Sequence, residues 1–271
     1  MKRKKFANRE QTTGSPWDPA WKSQALIDLI ETRPIVYITF DRRRLPECNG
    51  EDILNDIHDA MAYLFDQDGI ETLVKTHYPS LGWCRHKLVL TGESAGGFLG
   101  LHIYLEWGQR ISGVYLRYPL LHEYRRDFGP YMEREVVFKK AAISLFRLFS
   151  LLNVLYDLPP AVGRFPSDGM WPAYKTSCFK VWGRLWNASY PIDLLREKSL
   201  NTTTEFLVLH GTSDVQVPIA SSRSFVRSMQ ERGIRIVLKE VSSAAHGFDY
   251  DISLLNPNME SLGQMMDRLG M

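Results

Sequence analysis

The run Gly92-Glu93-Ser94-Ala95-Gly96-Gly97 constrains the fold of this chain more than any other segment. It follows the apolar stretch Lys87-Leu88-Val89-Leu90 and opens a second one, from Phe98 to Trp107. A buried strand, a sharp glycine-flanked turn and a helix therefore succeed one another, with Ser94 at the apex: a nucleophile elbow. So tight a turn leaves room only for very small residues two before and two after the serine, and Gly92 and Gly96 meet that demand. Ser94 is expected above the carboxyl end of the strand. The helix after it would aim its free N–H groups and positive dipole end at the hydroxyl.

Strand and helix patterns alternate along the rest of the chain. Ile35 to Phe40 reads as a strand, followed from Gly50-Glu51-Asp52 by a helix in which Ile53, Leu54, Ile57, Ala60, Met61 and Leu64 recur at helical spacing. Ile111 to Arg117 and Glu205 to Leu209 read as further strands, and Ile219 to Arg232 as a helix stopped by Gly233. Ile234 to Lys239 is the last strand, before a terminal helix near Met259 to Leu269. This alternation predicts an α/β fold, a mostly parallel sheet with helices on both faces, in one domain spanning 1–271. Residues 120–198 interrupt the rhythm and are far too long for an ordinary connection, so they read as a helical cap inserted before the strand at Glu205.

A serine hydroxyl needs a base, and the base needs a carboxylate to hold its tautomer. Asp214 stands on the loop after the strand Glu205 to Leu209, and His246 on the loop after Ile234 to Lys239. Alone, Asp214 could be a turn-capping aspartate and His246 a solvated loop histidine. Together with Ser94 they occur in the chain order of an α/β-hydrolase triad, each just past a strand end. The Ala95 N–H is placed to receive an oxyanion at the start of the elbow helix.

The elbow, together with Asp41-Arg42-Arg43-Arg44-Leu45-Pro46-Glu47, resembles the Gly-Asp-Ser-Ala-Gly-Gly and Asp-Tyr-Arg-Leu-Ala-Pro-Glu signatures of the α/β-hydrolase fold-3, or hormone-sensitive-lipase-like, esterases. The wording is closest to fungal members, and the resemblance covers roughly residues 12–250. It implies hydrolysis of small or apolar carboxylic esters through an acyl-enzyme, with no metal or organic cofactor, and it puts Glu93 in the wall of the site. That family also carries a strand ending in His-Gly-Gly-Gly, which supplies part of the oxyanion hole. Thr12-Thr13-Gly14-Ser15 resembles the sequence just after that motif, but the glycines expected near Asn8-Arg9-Glu10 are absent. The amino terminus therefore reads as truncated or divergent, lacking a strand that would lie between Ile35–Phe40 and Lys87–Leu90. A catalytically weak hydrolase or a non-hydrolytic binding protein is the alternative this suggests. His210 to Pro218 also resembles the acid loop of prolyl-oligopeptidase-like peptidases.

Charge and cysteine usage narrow the partners. The net charge of +2 over 271 residues is dispersed and gives no electrostatic argument for nucleic acid. Cys48, Cys84 and Cys178 lack metal spacing and read as reduced thiols, so no metal site is assigned. The basic amino terminus is not followed by an apolar signal core, which points to the cytoplasm. Val136 to Tyr156 is strongly apolar, but Lys139, Lys140 and Arg147 shorten the uncharged run below the ~18 residues of a membrane span. It is expected to be a cap helix. Trp182 and Trp186 are candidates for an apolar substrate pocket or for the cap's own core. The oligomeric state is not indicated.

Overall fold

The computed structural model describes residues 23–43, 48–66, 69–79, 87–121 and 191–271. The segments at 8–15 and 136–156, together with Cys84, Cys178, Trp182 and Trp186, lie outside them, as does most of the expected cap. Among the described residues the chain forms α1 (Gln24–Thr32), α2 (Gly50–Phe65), α3 (Ile70–His77), β1 (Val89–Glu93), α4 (Ala95–Trp107), β2 (Gly113–Arg117), α5 (Pro191–Glu197), β3 (Glu205–Gly211), α6 (Ile219–Glu231), β4 (Ile236–Val241) and α7 (Glu260–Arg268). The four strands pair in chain order, and every pair is parallel.

Alternate side chains of the central strands enter two cores. Val114 and Leu116 of β2, with Phe206 and Val208 of β3, pack with Ile53 and Ile57 of α2, Phe98 and Leu101 of α4, and Phe225 of α6. Tyr115, Leu207 and Leu209 point the other way, onto Leu29 of α1 and Leu262, Met265 and Met266 of α7. Helices thus cover both faces, as a parallel sheet buried on both sides requires. Gly233 ends the α6 segment at φ 76°, as expected of a helix stop, and Asn49 and Asp52 form a reciprocal capping box at the start of α2.

One expected strand does not form. Among the described residues Ile35 to Phe40 belongs to no ladder, and β1 pairs only with β2. A cavity of about 220 Å³ lies between Ile35–Phe40 and Leu88–Glu93, floored by side chains such as Ile57, Met61, Leu99 and Met266. Among the described residues no strand pairs with this apolar run, and without a neighbour a β-compatible sequence makes no sheet. No helix among the described residues is long and apolar enough to cross a membrane, and no cluster of potential metal ligands occurs among them.

Candidate active site

At the carboxyl edge of the sheet the chain leaves β1 through Ser94, which adopts φ 49° and ψ −119°. This left-handed backbone costs a non-glycine residue of order ~1–3 kcal/mol and persists only where its surroundings hold it. The holding contacts are the Ser94 N–H, which donates to the Arg117 carbonyl at 2.9 Å, and the Ser94 carbonyl, which accepts from Gly97 N at 3.0 Å and Leu120 N at 2.9 Å. The glycines divide differently from expectation. A Cβ on Gly92 would strike the Gly96 carbonyl and one on Gly97 would lie 2.5 Å from Pro119 Cβ, whereas Gly96 has open space beside it and borders the cavity. Gly92 and Gly97 make the turn possible, the latter because it packs on the bend after β2.

The loops after β3 and β4 are joined to each other. Thr212 N–H donates to Val241 O at 2.9 Å, Ser213 N–H to Ala244 O at 3.0 Å, and Ser243 N–H to Thr212 Oγ1 at 2.9 Å. Gly211 permits this approach, since a Cβ there would run into the Ala244 carbonyl. The pairing brings Asp214 Oδ2 to 2.7 Å from His246 Nδ1, and His246 Nε2 lies 3.1 Å from Ser94 Oγ. The acid side chain is fully buried while the histidine retains 12% exposure.

Asp214 is firmly held. Its Oδ1 accepts the N–H groups of Gln216 and Val217, each at 2.8 Å. His210 lies behind it, fully buried, with Nε2 2.8 Å from Val217 O and 3.4 Å from Asp214 Oδ2, and Nδ1 2.8 Å from Ser222 Oγ. A carbonyl only accepts, so His210 Nε2 carries a proton and donates it to Val217 O. Burial pushes the Asp214 pKa up, but the donors from His210 and His246 and the Val217 N–H outweigh it and hold the carboxyl well below its usual range. Asp214 stays ionised opposite His246.

The family model described as alpha/beta hydrolase fold matches residues 17–157, just over half of the 271. The chain belongs to the α/β-hydrolase fold family. In this α/β hydrolase a second family model, of the prolyl oligopeptidase family, matches residues 184–255. Solved structures agree on the fold. Esterase 2 of Thermogutta terrifontis phosphonylated by sarin is 17% identical, with a TM-score of 0.51 over 94% of this chain and 87% of that one. Carboxyl esterase 2 of the mycorrhizal fungus Tuber melanosporum is 15% identical, with a TM-score of 0.50 over 89% and 68%. No curated protein matches the chain in sequence. The resemblance to the hormone-sensitive-lipase-like group is thus borne out, while its fungal shading gains no more than a shared fold.

Four further residues of the α/β hydrolase reach the site, none of them foreseen: His210, Arg117, Tyr118 and Asp249. Each carried a signal. His210 opens the loop that ends in Asp214, Arg117 and Tyr118 terminate an apolar strand abruptly, and Asp249 follows His246 by one helical turn's spacing. Glu93 is almost completely buried, and its Oε2 lies 2.6 Å from Arg117 Nη2. It also borders the cavity, which Ser94, Asp214 and His246 do not line.

Proposed function

We propose that this α/β hydrolase cleaves carboxylic esters of small or apolar acids through an acyl-enzyme on Ser94. Supporting this reading above all is the hydrogen-bonded sequence Ser94, His246, Asp214, at 3.1 and 2.7 Å, on the carboxyl edge of a parallel sheet. Ser94 Oγ attacks the ester carbonyl and gives its proton to His246 Nε2, while ionised Asp214 accepts from Nδ1–H and stabilises the imidazolium. The proton passes to the departing alkoxide, which leaves as the alcohol. Water then attacks the acyl-enzyme with His246 again as base, releasing the acid and restoring Ser94. The Ala95 N–H, at the amino end of α4, supplies one oxyanion donor. Trp182 and Trp186 are candidates from the sequence for the acyl or alcohol pocket or for the cap's own core.

The match of residues 184–255 to the prolyl oligopeptidase family favours a second reading, cleavage of peptide amides by the same serine. The test is a side-by-side assay of p-nitrophenyl butyrate and a proline p-nitroanilide. Ester turnover that disappears in Ser94→Ala supports the proposal, and a preference for the amide replaces it with the peptidase. Turnover of neither substrate moves the protein to the binding class. Within an active esterase, Trp182→Ala or Trp186→Ala is expected to alter the preference among ester chain lengths more than the melting temperature. The reverse pattern assigns both to the cap's core.

A further inference from the structure

We infer that Tyr118 is a positioning residue for His246, and that Arg117 keeps it in place by gripping the nucleophile segment and the histidine segment at once. The inference rests on the reading of His246 as the base for Ser94. Arg117, the last residue of β2, lies almost completely buried between two carboxylates. Its Nη1 donates to Asp249 Oδ2 at 2.6 Å, and its Nη2 lies 2.6 Å from Glu93 Oε2. Glu93 immediately precedes Ser94, and Asp249 comes three residues after His246. One planar guanidinium therefore ties together the two segments whose separation sets the Ser94–His246 distance, a task suited to a rigid fork and not to a flexible ammonium.

Tyr118 completes this bracket. It is fully buried in a left-handed conformation, φ 36°, which a tyrosine adopts only when its surroundings over-determine it. Its N–H donates to Leu209 O at 2.7 Å and its hydroxyl to Asp249 Oδ1 at 2.7 Å, so both ends are fixed. Between these anchors the ring packs against the His246 imidazole, with centroids 4.5 Å apart and planes inclined by 59°. The imidazole is thus held by a hydrogen bond at each nitrogen and by an aromatic ring against it. Asp249 serves this arrangement twice, one oxygen on Arg117 and the other on Tyr118. The same bend after Tyr118 brings Leu120 N–H onto the Ser94 carbonyl, so it also braces the backbone of the nucleophile turn.

The test compares Tyr118→Leu, which removes ring and hydroxyl, with Tyr118→Phe, which keeps the ring. For Tyr118→Leu, kcat for p-nitrophenyl butyrate and the rate of Ser94 phosphonylation by a fluorophosphonate are each expected to fall by ~10- to 100-fold, the scale of a misplaced catalytic group, with KM nearly unchanged. Tyr118→Phe is expected to recover most of that loss. In parallel, the downfield proton resonance of His246 Nδ1–H is expected to shift or broaden in Tyr118→Leu and to return in Tyr118→Phe. Should Tyr118→Leu fail to fold, Asp249→Asn, which keeps the shape but weakens the alignment of the hydroxyl, is expected to move the same resonance in the same direction. A folded Tyr118→Leu protein with wild-type labelling rate and resonance overturns the inference, as does an unmoved resonance in a folded Asp249→Asn protein standing in for it. If wild type itself neither turns over ester nor labels, the proposed function fails, and the resonance alone decides the role of Tyr118.

Discussion

Along its inner edge β1 pairs with β2 from Val89–Gly113 to Glu93–Arg117, while along its outer edge the same residues face a cavity of about 220 Å³. The contrast continues at the carboxyl end. On the β2–β4 side, the loops are cross-linked and buried charges are paired, as Arg117 is with Glu93 and Asp249. On the far side, Ile35–Phe40 is as apolar as Lys87–Leu90 and yet forms no strand. The difference is that Lys87–Leu90 leads into a segment with a registered neighbour, and strand formation belongs to a pair of segments and their hydrogen bonds. The ordered edge carries Ser94, Asp214 and His246, and the cavity on the other side is lined by their neighbours Glu93 and Gly96.

The strongest way to break this comparison is to disable the ordered edge. Ser94→Ala, His246→Ala and Asp214→Ala are each expected to lower ester turnover by about 10⁴-fold or more, and the double variants by little beyond that, because the residues act as a unit. Steady-state assays of the single and double variants check it, and additive losses would dissolve the unit.

Smaller effects sharpen the boundary between the two sides. His102, on α4, has its pKa pulled down to about 4, first by burial and then by Lys198. The unfolded chain therefore binds a proton below the ordinary 6.5 that the folded chain refuses. Stability from this group is complete above that value and is lost as pH falls toward 4, by roughly 3 kcal/mol. Asp214 and Asp249 act lower, since their folded values lie below the ordinary 3.8 and their contribution is lost only as pH drops through that range. In denaturant melts between pH 7 and pH 4, wild type is expected to lose roughly 3 kcal/mol relative to His102→Leu as the pH falls, and a constant difference would remove His102 from the account. Comparable in size, Gly92→Ala is expected to cost about 1–3 kcal/mol by overpacking against the Gly96 carbonyl. Gly96→Ala, facing the cavity, is expected to be neutral or to stabilise by up to about 1 kcal/mol. A Gly96→Ala protein as damaged as Gly92→Ala would show that the space beside Gly96 is filled.

Much of this was legible because the signals were local. The elbow and the stop at Gly233 each lie within a few residues of the element they define, and helices on both faces followed from alternation alone. The strands β2 and β4 begin two residues later than their apolar runs suggest, at Gly113 and Ile236, because ladders end where the neighbour ends. Helix α1 passed unnoticed although Ala25 and Leu29 are buried, its spacing being too short to announce itself. Gly96 was assigned a steric duty that belongs to Gly97, since that duty comes from Pro119, more than twenty residues away. Arg117, Tyr118 and Asp249 stayed hidden for the same reason. Their meaning lies in contacts across three strand ends, which no window of sequence displays.

The deciding measurement is the mapped reaction of the protein with a fluorophosphonate, read by intact mass and by peptide sequencing. One adduct per chain, on Ser94, absent in Ser94→Ala and forming far more slowly in His246→Ala, is the predicted result. No adduct under conditions that saturate a serine hydrolase, or one that forms on Ser94 at the same rate without His246, would contradict the reading of this edge as a site of acyl transfer.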